Sequence, residues 1–407
     1  MPIDFTLSDE VQNARDRVRR FMDEEVRPTE EKLRQGEADR NAYVAAIAGL
    51  RQRAKDLGLW NPHLPPDWGG MGLGPVAMAF VSAEAGRTGI GPYILNAQAP
   101  DEGNMHTLLH AATPEQKEKY LRPLAEGRSR SCFAMTEPEV SGSDPTLIQT
   151  RAVRDGDDWV INGHKWFISG AKGARFAILI ACTDPDADPP QARNSAFLVD
   201  LPNPGWEIVR DIDTMHGQGN HCEIKITDLR VPAENMLGER GHGHLLGQYR
   251  LGPARLAHCM RWIGNAEVAL EMMVDRSLNR FTHGSLLADK QAIQWKISES
   301  VMELYIAKLM VIHAAYLIEN GKPFRHEVAM AKYHVANTLW RVLDRAIQVH
   351  GALGYSSDTP LERMMRNARS ARLVDGADEV HLQTIAKNTI AWYKEHGNTR
   401  LATGDLL

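Results

Sequence analysis

Short runs of β-forming residues, separated by turn residues, fill the middle of this chain and constrain its fold most strongly. Between about residues 132 and 237 they cover residues 159–161, 166–168, 176–182, 196–201 and 206–209. Strands spaced this closely leave no room for crossover helices, so they favour a small antiparallel barrel or sandwich. Asn162-Gly163 lies between two of the runs and predicts a hairpin, because Asn-Gly tolerates the positive φ angles of a type I′ turn.

Helical patterns flank this middle section on both sides. From Ser8, a candidate N-cap, to about Ala125, apolar residues recur near helical spacing, and the pattern returns from about Leu245 to Tyr393. Residues 304–318 are almost wholly apolar, which predicts a helix buried on most sides in a bundle core or a subunit interface. The sequence therefore predicts an α+β fold with an N-terminal helical domain (1–130), a central antiparallel β-barrel or sandwich domain (131–238) and a C-terminal four-helix-bundle domain (239–407).

Composition and charge exclude several classes of protein. The 407 residues can bury a large core, and 47 Lys+Arg against 52 Asp+Glu lack the basic excess of a nucleic-acid binder. No apolar run approaches the roughly 18 residues of a membrane span, and neither terminus resembles a secretory or peroxisomal signal, so we expect a cytoplasmic protein. The four cysteines, Cys132, Cys182, Cys222 and Cys259, form no Cys-x-x-Cys pair and are predicted to be reduced core residues.

Several common site motifs are absent from the sequence. It contains no strict G-x-G-x-x-G, no P-loop and no G-x-S-x-G, and its 16 histidines show no metal-ligand spacing. We therefore predict no Rossmann dinucleotide site, no nucleotide-triphosphate site, no serine-hydrolase site and no metal.

Two candidate segments border or lie within the β section. Residues 133–144 combine small and hydroxyl-bearing side chains, which let backbone amides approach a cofactor closely, although such a run is more often an ordinary interdomain loop. Residues 163–170 combine aromatic and hydroxyl side chains, and they too have a purely structural interpretation, as a strand with aromatic packing.

A third candidate segment covers residues 373–381. Asp375-Gly376 predicts a turn, and Asp378 a helix N-cap. A carboxylate approached by the apolar Leu373 and Val374 would have a raised pKa and could act as a base.

In this order and at these spacings, the three segments resemble the flavin-dependent acyl-CoA dehydrogenases over nearly the whole chain. Residues 136–140, 250–255 and 258–261 are most similar to the branch typified by acyl-CoA dehydrogenase family members 10 and 11. The resemblance implies FAD as cofactor, an acyl-CoA substrate, an electron-transfer flavoprotein as acceptor, and a homodimer or homotetramer.

The resemblance also implies roles for individual residues. Asp375 matches the catalytic carboxylate, usually Glu, that removes the pro-R α-proton while hydride leaves the β-carbon for the flavin. The base position that some members use instead holds Ala254, which cannot accept a proton. The resemblance assigns substrate binding to Ser143, Arg255 and Gly376. Cofactor binding falls to Phe133, Met135, Thr136, Gly142, Ser143, Phe167, Ile168, Ser169, Arg280, Gln291, Gln348, Val349, Gly351, Ala352, Ala377 and Glu379, of which Arg280 and Gln291 would reach the FAD of a neighbouring subunit.

Two other functions stay open at this point. A flavin oxidase of the same fold, such as a nitroalkane oxidase, also uses an Asp base but returns electrons to oxygen and binds no CoA, and Arg255 on the CoA side weighs against it. A non-catalytic acyl-CoA-binding scaffold is the third possibility.

Overall fold

The computed structural model describes residues 6–35, 39–215, 217 and 221–400. The two termini, which entered the expectation of a cytoplasmic location, lie outside these ranges. Contacts divide the chain into two compact units. Unit 1 consists of Met1–Pro66, Gly70–Leu95 and Arg255–Leu407, and unit 2 consists of Asp67–Gly69 and Asn96–Ala254.

Unit 1 begins with helices whose start the sequence predicts correctly. The Ser8 hydroxyl accepts a hydrogen bond from the Val11 N–H at 3.3 Å and caps the first helix. Val18 and Phe21 on that helix are buried, as their spacing predicts. The helices of this part are α1 (Asp9–Phe21), α2 (Arg27–Gln35), α3 (Arg40–Asp56), α4 (Pro75–Ala85) and α5 (Gly91–Ile94), and a π-helical turn (Met22–Val26) joins the first two.

Unit 2 contains a β-sheet, and three short α-helices precede it in the sequence. The helices are α6 (Asp101–Ala111), α7 (Pro114–Gln116) and α8 (Arg122–Ala125). The strands are β1 (Ser131–Ala134), β2 (Arg151–Asp155), β3 (Asp158–Ser169), β4 (Phe176–Cys182), β5 (Asn194–Asp200), β6 (Trp206–Asp211), β7 (His221–Pro232) and β8 (Met236–Leu237).

The sheet confirms the predicted small β domain between helical sections. Its strand order is β6-β7-β3-β2-β4-β5-β8, and β1 pairs with β4. Pairing is antiparallel except that β1 and β2 run parallel to β4. Every residue of β4 is buried, which explains its unbroken apolar run, and its neighbours build a core that includes Ile161, Phe197 and Ile224.

The predicted hairpin at Asn162-Gly163 is wrong, because β3 runs straight through both residues. The turn between β2 and β3 lies instead at Gly156, whose φ is +60°. Asn162 exchanges hydrogen bonds with Asp228 of β7, whose N–H donates to Asn162 Oδ1 at 2.8 Å. A β-carbon at Gly163 would lie 2.3 Å from Thr150 Oγ1, so this glycine marks a close approach rather than a turn.

A long helix leads from unit 2 back into unit 1. This helix, α9 (Gly243–Asn279), crosses the unit boundary between Ala254 and Arg255. The elements that follow are β9 (Phe281–Thr282), β10 (Ser285–Leu286), α10 (Gln291–Glu319), α11 (Arg325–His350), α12 (Ala352–Tyr355), α13 (Leu361–Ala368) and α14 (Asp378–His396). Within unit 1, helices α9, α10 and α11 share apolar clusters that include Ile263, Ala307 and Val335. The four cysteines are free and buried, which confirms their predicted role.

Helix α10 is less buried than predicted. It packs against α4 and α11 through residues such as Leu304 and Ala307, but Met302 and Tyr305 are exposed. In the single chain the helix is therefore not buried on most sides, because it is apolar on faces that no other described helix covers, and burial in a subunit interface stays a prediction. Among the described residues it is also the one helix with the length and apolar composition of a membrane span, a test that bundle helices pass as well.

Candidate functional site

The turn at Asp375-Gly376, just before α14, is the centre of the site in unit 1. Both residues have positive φ angles, +52° and +107°, which confirms the predicted turn. Aspartate tolerates the left-handed region better than most residues do. Only glycine suits position 376, because a β-carbon there would also lie 2.8 Å from Nε2 of His381.

Two cations from different helices hold the backbone of this turn. Arg255 of α9 donates from Nε to the carbonyl oxygen of Asp375 at 2.6 Å, and Lys332 of α11 donates from Nζ to the carbonyl oxygen of Gly376 at 2.7 Å. Burial lowers the pKa of Lys332. Burial also lowers the pKa of Arg255, although the nearby negative charge of Asp375 acts in the opposite direction. The turn is thus fixed through its main chain.

The carboxylate of Asp375 lies in contact with a histidine side chain. Its Oδ2 lies 3.1 Å from Nε2 of His258, and the two side chains are 21% and 20% exposed. Of the two apolar residues expected beside the carboxylate, Leu373 is 57% exposed and Val374 is half-buried. The polar surroundings come from α9, where His258 follows Arg255 by three residues and therefore shares its face. We call Asp375, Gly376, Arg255, His258 and Lys332 the Asp375 cluster.

Asp378 does not cap α14 as predicted. The N-cap is Ala377, whose methyl side chain cannot accept a hydrogen bond, and Asp378 is the first helical residue. Its Oδ2 instead accepts from Arg372 Nε at 2.7 Å and from Asn337 Nδ2 at 3.1 Å. These bonds join the start of α14 to α11 and to the segment before the turn.

His381 is a neutral histidine under the turn. Its side chain is buried, and burial, with the nearby charges of Lys332 and Arg255, lowers its pKa to about 4. It therefore adds no positive charge to the Asp375 cluster at neutral pH.

In unit 2 the structure brings the two predicted flavin segments together. Thr136 Oγ1 donates to the carbonyl oxygen of Trp166 at 2.7 Å, and the Trp166 N–H donates to the carbonyl oxygen of Thr136 at 3.1 Å. The loop after β1 is thereby joined to β3 next to Phe167.

A buried ion pair supports this junction. Lys165 Nζ donates to the carbonyl oxygen of Met135 and to Oε1 of Glu137, both at 2.8 Å, and both charged side chains are fully or almost fully buried. Burial lowers the pKa of Lys165 to about 8. Burial would raise the pKa of Glu137, but the charge of Lys165 and hydrogen bonds from Thr150 and Gln149 outweigh it, and the pKa is lowered.

Phe167 projects from a bulge in β3. Its φ is +52°, its side chain is 46% exposed, and its ring centroid lies 5.0 Å from that of Trp166 and 6.3 Å from that of His221. Ser169 Oγ lies 2.8 Å from His221 Nδ1. Exposed aromatic faces beside hydroxyl groups suit a flat heteroaromatic ring such as that of FAD, so the residues present fit the cofactor that the resemblance implies.

Other predicted residues take varied positions in unit 2. Ile168 points into the sheet core and can offer a ligand only its backbone. Gly142 lies close against Thr136, whose Cγ2 would be 3.2 Å from an added β-carbon, and Ser143 is exposed. Phe133 lies in β1, with the Arg250 guanidinium 4.3 Å from its ring centroid.

The remaining predicted residues lie at helix ends of unit 1 and are not part of the Asp375 cluster. Arg280 and Gln291 are exposed and flank the β9–β10 hairpin. At the end of α11, Val349 is buried in the helical core. The other predicted residues near this helix end and in α14 are exposed, namely Gln348, Gly351, Ala352 and Glu379.

Sequence reasoning missed three residues, His258, Lys332 and Lys165. Each carried a signal: His258 repeats the helical spacing of Arg255, and each lysine interrupts an otherwise apolar buried face. In the part of the chain that the structure describes, no group of three or more His, Cys, Asp or Glu could hold a metal ion.

Comparison with known proteins identifies relatives along nearly the whole chain. Models of the acyl-CoA dehydrogenase N-terminal, middle and C-terminal domains match residues 8–128, 132–229 and 241–390. "Probable acyl-CoA dehydrogenase FadE2" of Mycobacterium tuberculosis is 43% identical over 95% of this chain and 96% of its own length. Mouse acyl-CoA dehydrogenase family member 10 is 39% identical over 94% of this chain, which spans only 37% of that longer protein.

A solved structure agrees with these matches. A chain from Mycobacterium abscessus, assigned as an acyl-CoA dehydrogenase, has a TM-score of 0.90 and 36% identity, and the match covers 96% of this chain and 100% of that chain. The family and branch that the sequence resembles are confirmed.

Proposed function

We propose a function from one premise: this chain belongs to the acyl-CoA dehydrogenase family. The family's members are FAD-dependent flavoproteins, and FAD is the cofactor of this chain. The chain oxidises an acyl-CoA thioester between its α- and β-carbons and releases the trans-2-enoyl-CoA. The observation that carries this proposal is Asp375, a partly exposed carboxylate on a turn whose backbone two cations hold.

The reaction breaks two C–H bonds and forms one double bond. Asp375 accepts the α-proton, the electron pair left on the α-carbon forms the new bond to the β-carbon, and the β-hydrogen leaves as hydride. FAD, when bound, supplies the acceptor for that hydride. Arg255 and Lys332 hold the backbone of the turn and so fix the position of the Asp375 carboxylate before the substrate binds.

We assign the cofactor and substrate contacts as follows. Thr136, Phe167 and Ser169, on the joined segments of unit 2, bind the flavin ring, supported by the buried Lys165–Glu137 pair. Arg255 and Gly376 of the Asp375 cluster, with Ser143, bind the thioester. Ala377 offers no hydroxyl to the flavin.

We further propose that the chain assembles into a homodimer or homotetramer. Trp295, Met302 and Ile306 are exposed and follow each other on α10 at spacings of seven and four residues, so they form one apolar stripe. Arg280 and Gln291 are exposed close to the start of this helix, where they could reach a second subunit. Light scattering after size-exclusion chromatography would give the mass of the assembly.

The proposed electron acceptor is an electron-transfer flavoprotein. The first test is an anaerobic titration of the purified holoprotein with acyl-CoAs of graded chain length, followed by the absorbance of oxidised flavin. We expect one length class to bleach the flavin and yield one enoyl-CoA per flavin. Bound flavin that no thioester bleaches would contradict the proposal, and oxygen consumption with nitroalkanes would then support the oxidase. Absence of bound flavin would favour the scaffold.

A further inference from the structure

We infer that His258 is a positioning residue for the proposed base: it stays neutral, carries its proton on Nε2, and orients the Asp375 carboxylate through that proton. The inference rests on the proposed function, since it assigns how the base is held. It starts from the 3.1 Å contact between His258 Nε2 and Asp375 Oδ2.

The tautomer of His258 follows from its second neighbour. Nη2 of Arg261 lies 3.4 Å from His258 Nδ1. A guanidinium has donors only, so Nδ1 accepts this hydrogen bond and carries no proton. A neutral imidazole has one N–H, which must then be on Nε2, facing Asp375.

The ring plane is also held. The imidazole of His258 stacks on Trp262, four residues later in α9, with centroids 5.2 Å apart and an interplanar angle of 22°. A stacked ring with both nitrogens engaged has one orientation, so the N–H direction is set before the substrate arrives.

Arg255 of α9 and Lys332 of α11 already place positive charge at the turn, and His381 of α14 lies under it as a neutral ring. Arg261 of α9 lies beside His258. The neutral donor fixes the carboxylate without adding another full charge that would weaken its basicity.

The test uses two variants of the same position in the holoprotein. His258→Ala removes the donor and the stack, His258→Gln keeps an N–H donor on a side chain of similar reach, and His396→Ala is the matched control. His396 stacks on Trp392 near the end of α14, roughly 27 Å along that helix from its first residue.

Three quantities are measured for each variant. The first is the rate of flavin bleaching at saturating acyl-CoA, the second is the concentration of acyl-CoA that gives half this rate, and the third is the pH dependence of the rate. A fourth readout needs no redox step: exchange of the α-hydrogen of a 3-thiaacyl-CoA, which has no β-hydrogen to lose, with deuterium from solvent, followed by mass spectrometry.

We expect His258→Ala to slow bleaching and α-hydrogen exchange about 10- to 100-fold while the half-saturating concentration changes less than about threefold. The acidic limb of the pH profile should move up by about one pH unit, because a hydrogen bond to the ionised carboxylate is lost. His258→Gln should recover most of the rate, and His396→Ala should match the wild type.

An unmoved acidic limb, or equal exchange rates in His258→Ala and the wild type, would overturn the inference alone. It would also be overturned if His258→Gln, folded and loaded with flavin, were as slow as His258→Ala. If wild-type holoprotein neither exchanges the α-hydrogen nor oxidises any thioester, the proposed function has failed and the inference fails with it.

Discussion

Each unit of the molecule holds a candidate-site segment with a buried lysine, but the two lysines have different partners. In unit 2, Lys165 binds both the carbonyl of Met135 and the carboxylate of Glu137. In unit 1, Lys332 donates a hydrogen bond to the carbonyl oxygen of Gly376. The carboxylate of the same turn, that of Asp375, lies beside the His258 imidazole. The pairing with buried Lys165 lowers the pKa of Glu137 and keeps it ionised, which suits a structural role. A carboxylate held by an imidazole stays able to exchange a proton.

The largest effect should come from Asp375, the carboxylate proposed as the base. We expect Asp375→Asn to slow flavin bleaching by acyl-CoA about 10²- to 10⁴-fold, because the amide cannot accept the α-proton. Asparagine tolerates the positive φ of position 375, so flavin content and melting temperature should stay near the wild type. A bleaching rate within threefold of the wild type would show that Asp375 is not the base. The proposed difference between a catalytic Asp375 and a structural Glu137 would then be wrong.

The two lysines can be compared directly by the same substitution. Lys165→Met leaves the Glu137 carboxylate buried without its cation and should cost about 3–5 kcal/mol in the free energy of unfolding. Lys332→Met loses a hydrogen bond to a carbonyl and should cost about 1 kcal/mol. Urea denaturation at pH 7 measures both, and the double variant Lys165→Met with Glu137→Gln should regain part of the loss. Equal costs for the two lysines would break the comparison.

Acid should weaken unit 1 through His381. The pKa of His381 is lowered to about 4 in the fold against an ordinary value near 6.5, so the unfolded chain binds its proton first. The stability is complete above pH 6.5 and falls as the pH drops toward 4, by about 2–3 kcal/mol at pH 4.5. His381→Gln should flatten this part of the stability profile, whereas His396→Ala should keep it. An unchanged slope in His381→Gln would contradict the burial argument.

The smallest effect has the opposite sign and lies in unit 2. Nδ1 and Nε2 of His164 lie 2.6 Å and 3.0 Å from Glu139 and Glu223. Partial burial opposes protonation, but these two carboxylates outweigh it and raise the pKa of His164. Its stabilisation is complete below about pH 6.5 and is lost as the pH rises through the raised pKa, by up to about 1 kcal/mol. Melting temperatures at pH 6 and pH 8 should differ less in His164→Gln than in the wild type, and identical differences would count against the ion pairs.

Local pattern predicted most of the architecture. Helical spacing located the flanking helices, unbroken apolar character located β4, and Asp-Gly located the turn at Asp375. These features depend on residues a few positions apart, so a single sequence carries them. The same local logic failed at Asn162-Gly163, where β3 stays extended because it pairs with β7 on both sides of Asn162, through Ile161–Leu229 and Gly163–Ile226.

The sequence by itself determined the order of helical and β sections, the family resemblance and the position of the candidate base. Only the tertiary structure decided what surrounds that base. The partners of the turn, such as Arg255, come from as far as 120 residues away in the chain, and Lys332 reaches Gly376 across 44 residues. Such contacts depend on how helices pack, and packing is set by the whole core rather than by any local period. The sequence could therefore mark His258 and the two buried lysines as unusual, but only the folded chain shows their partners.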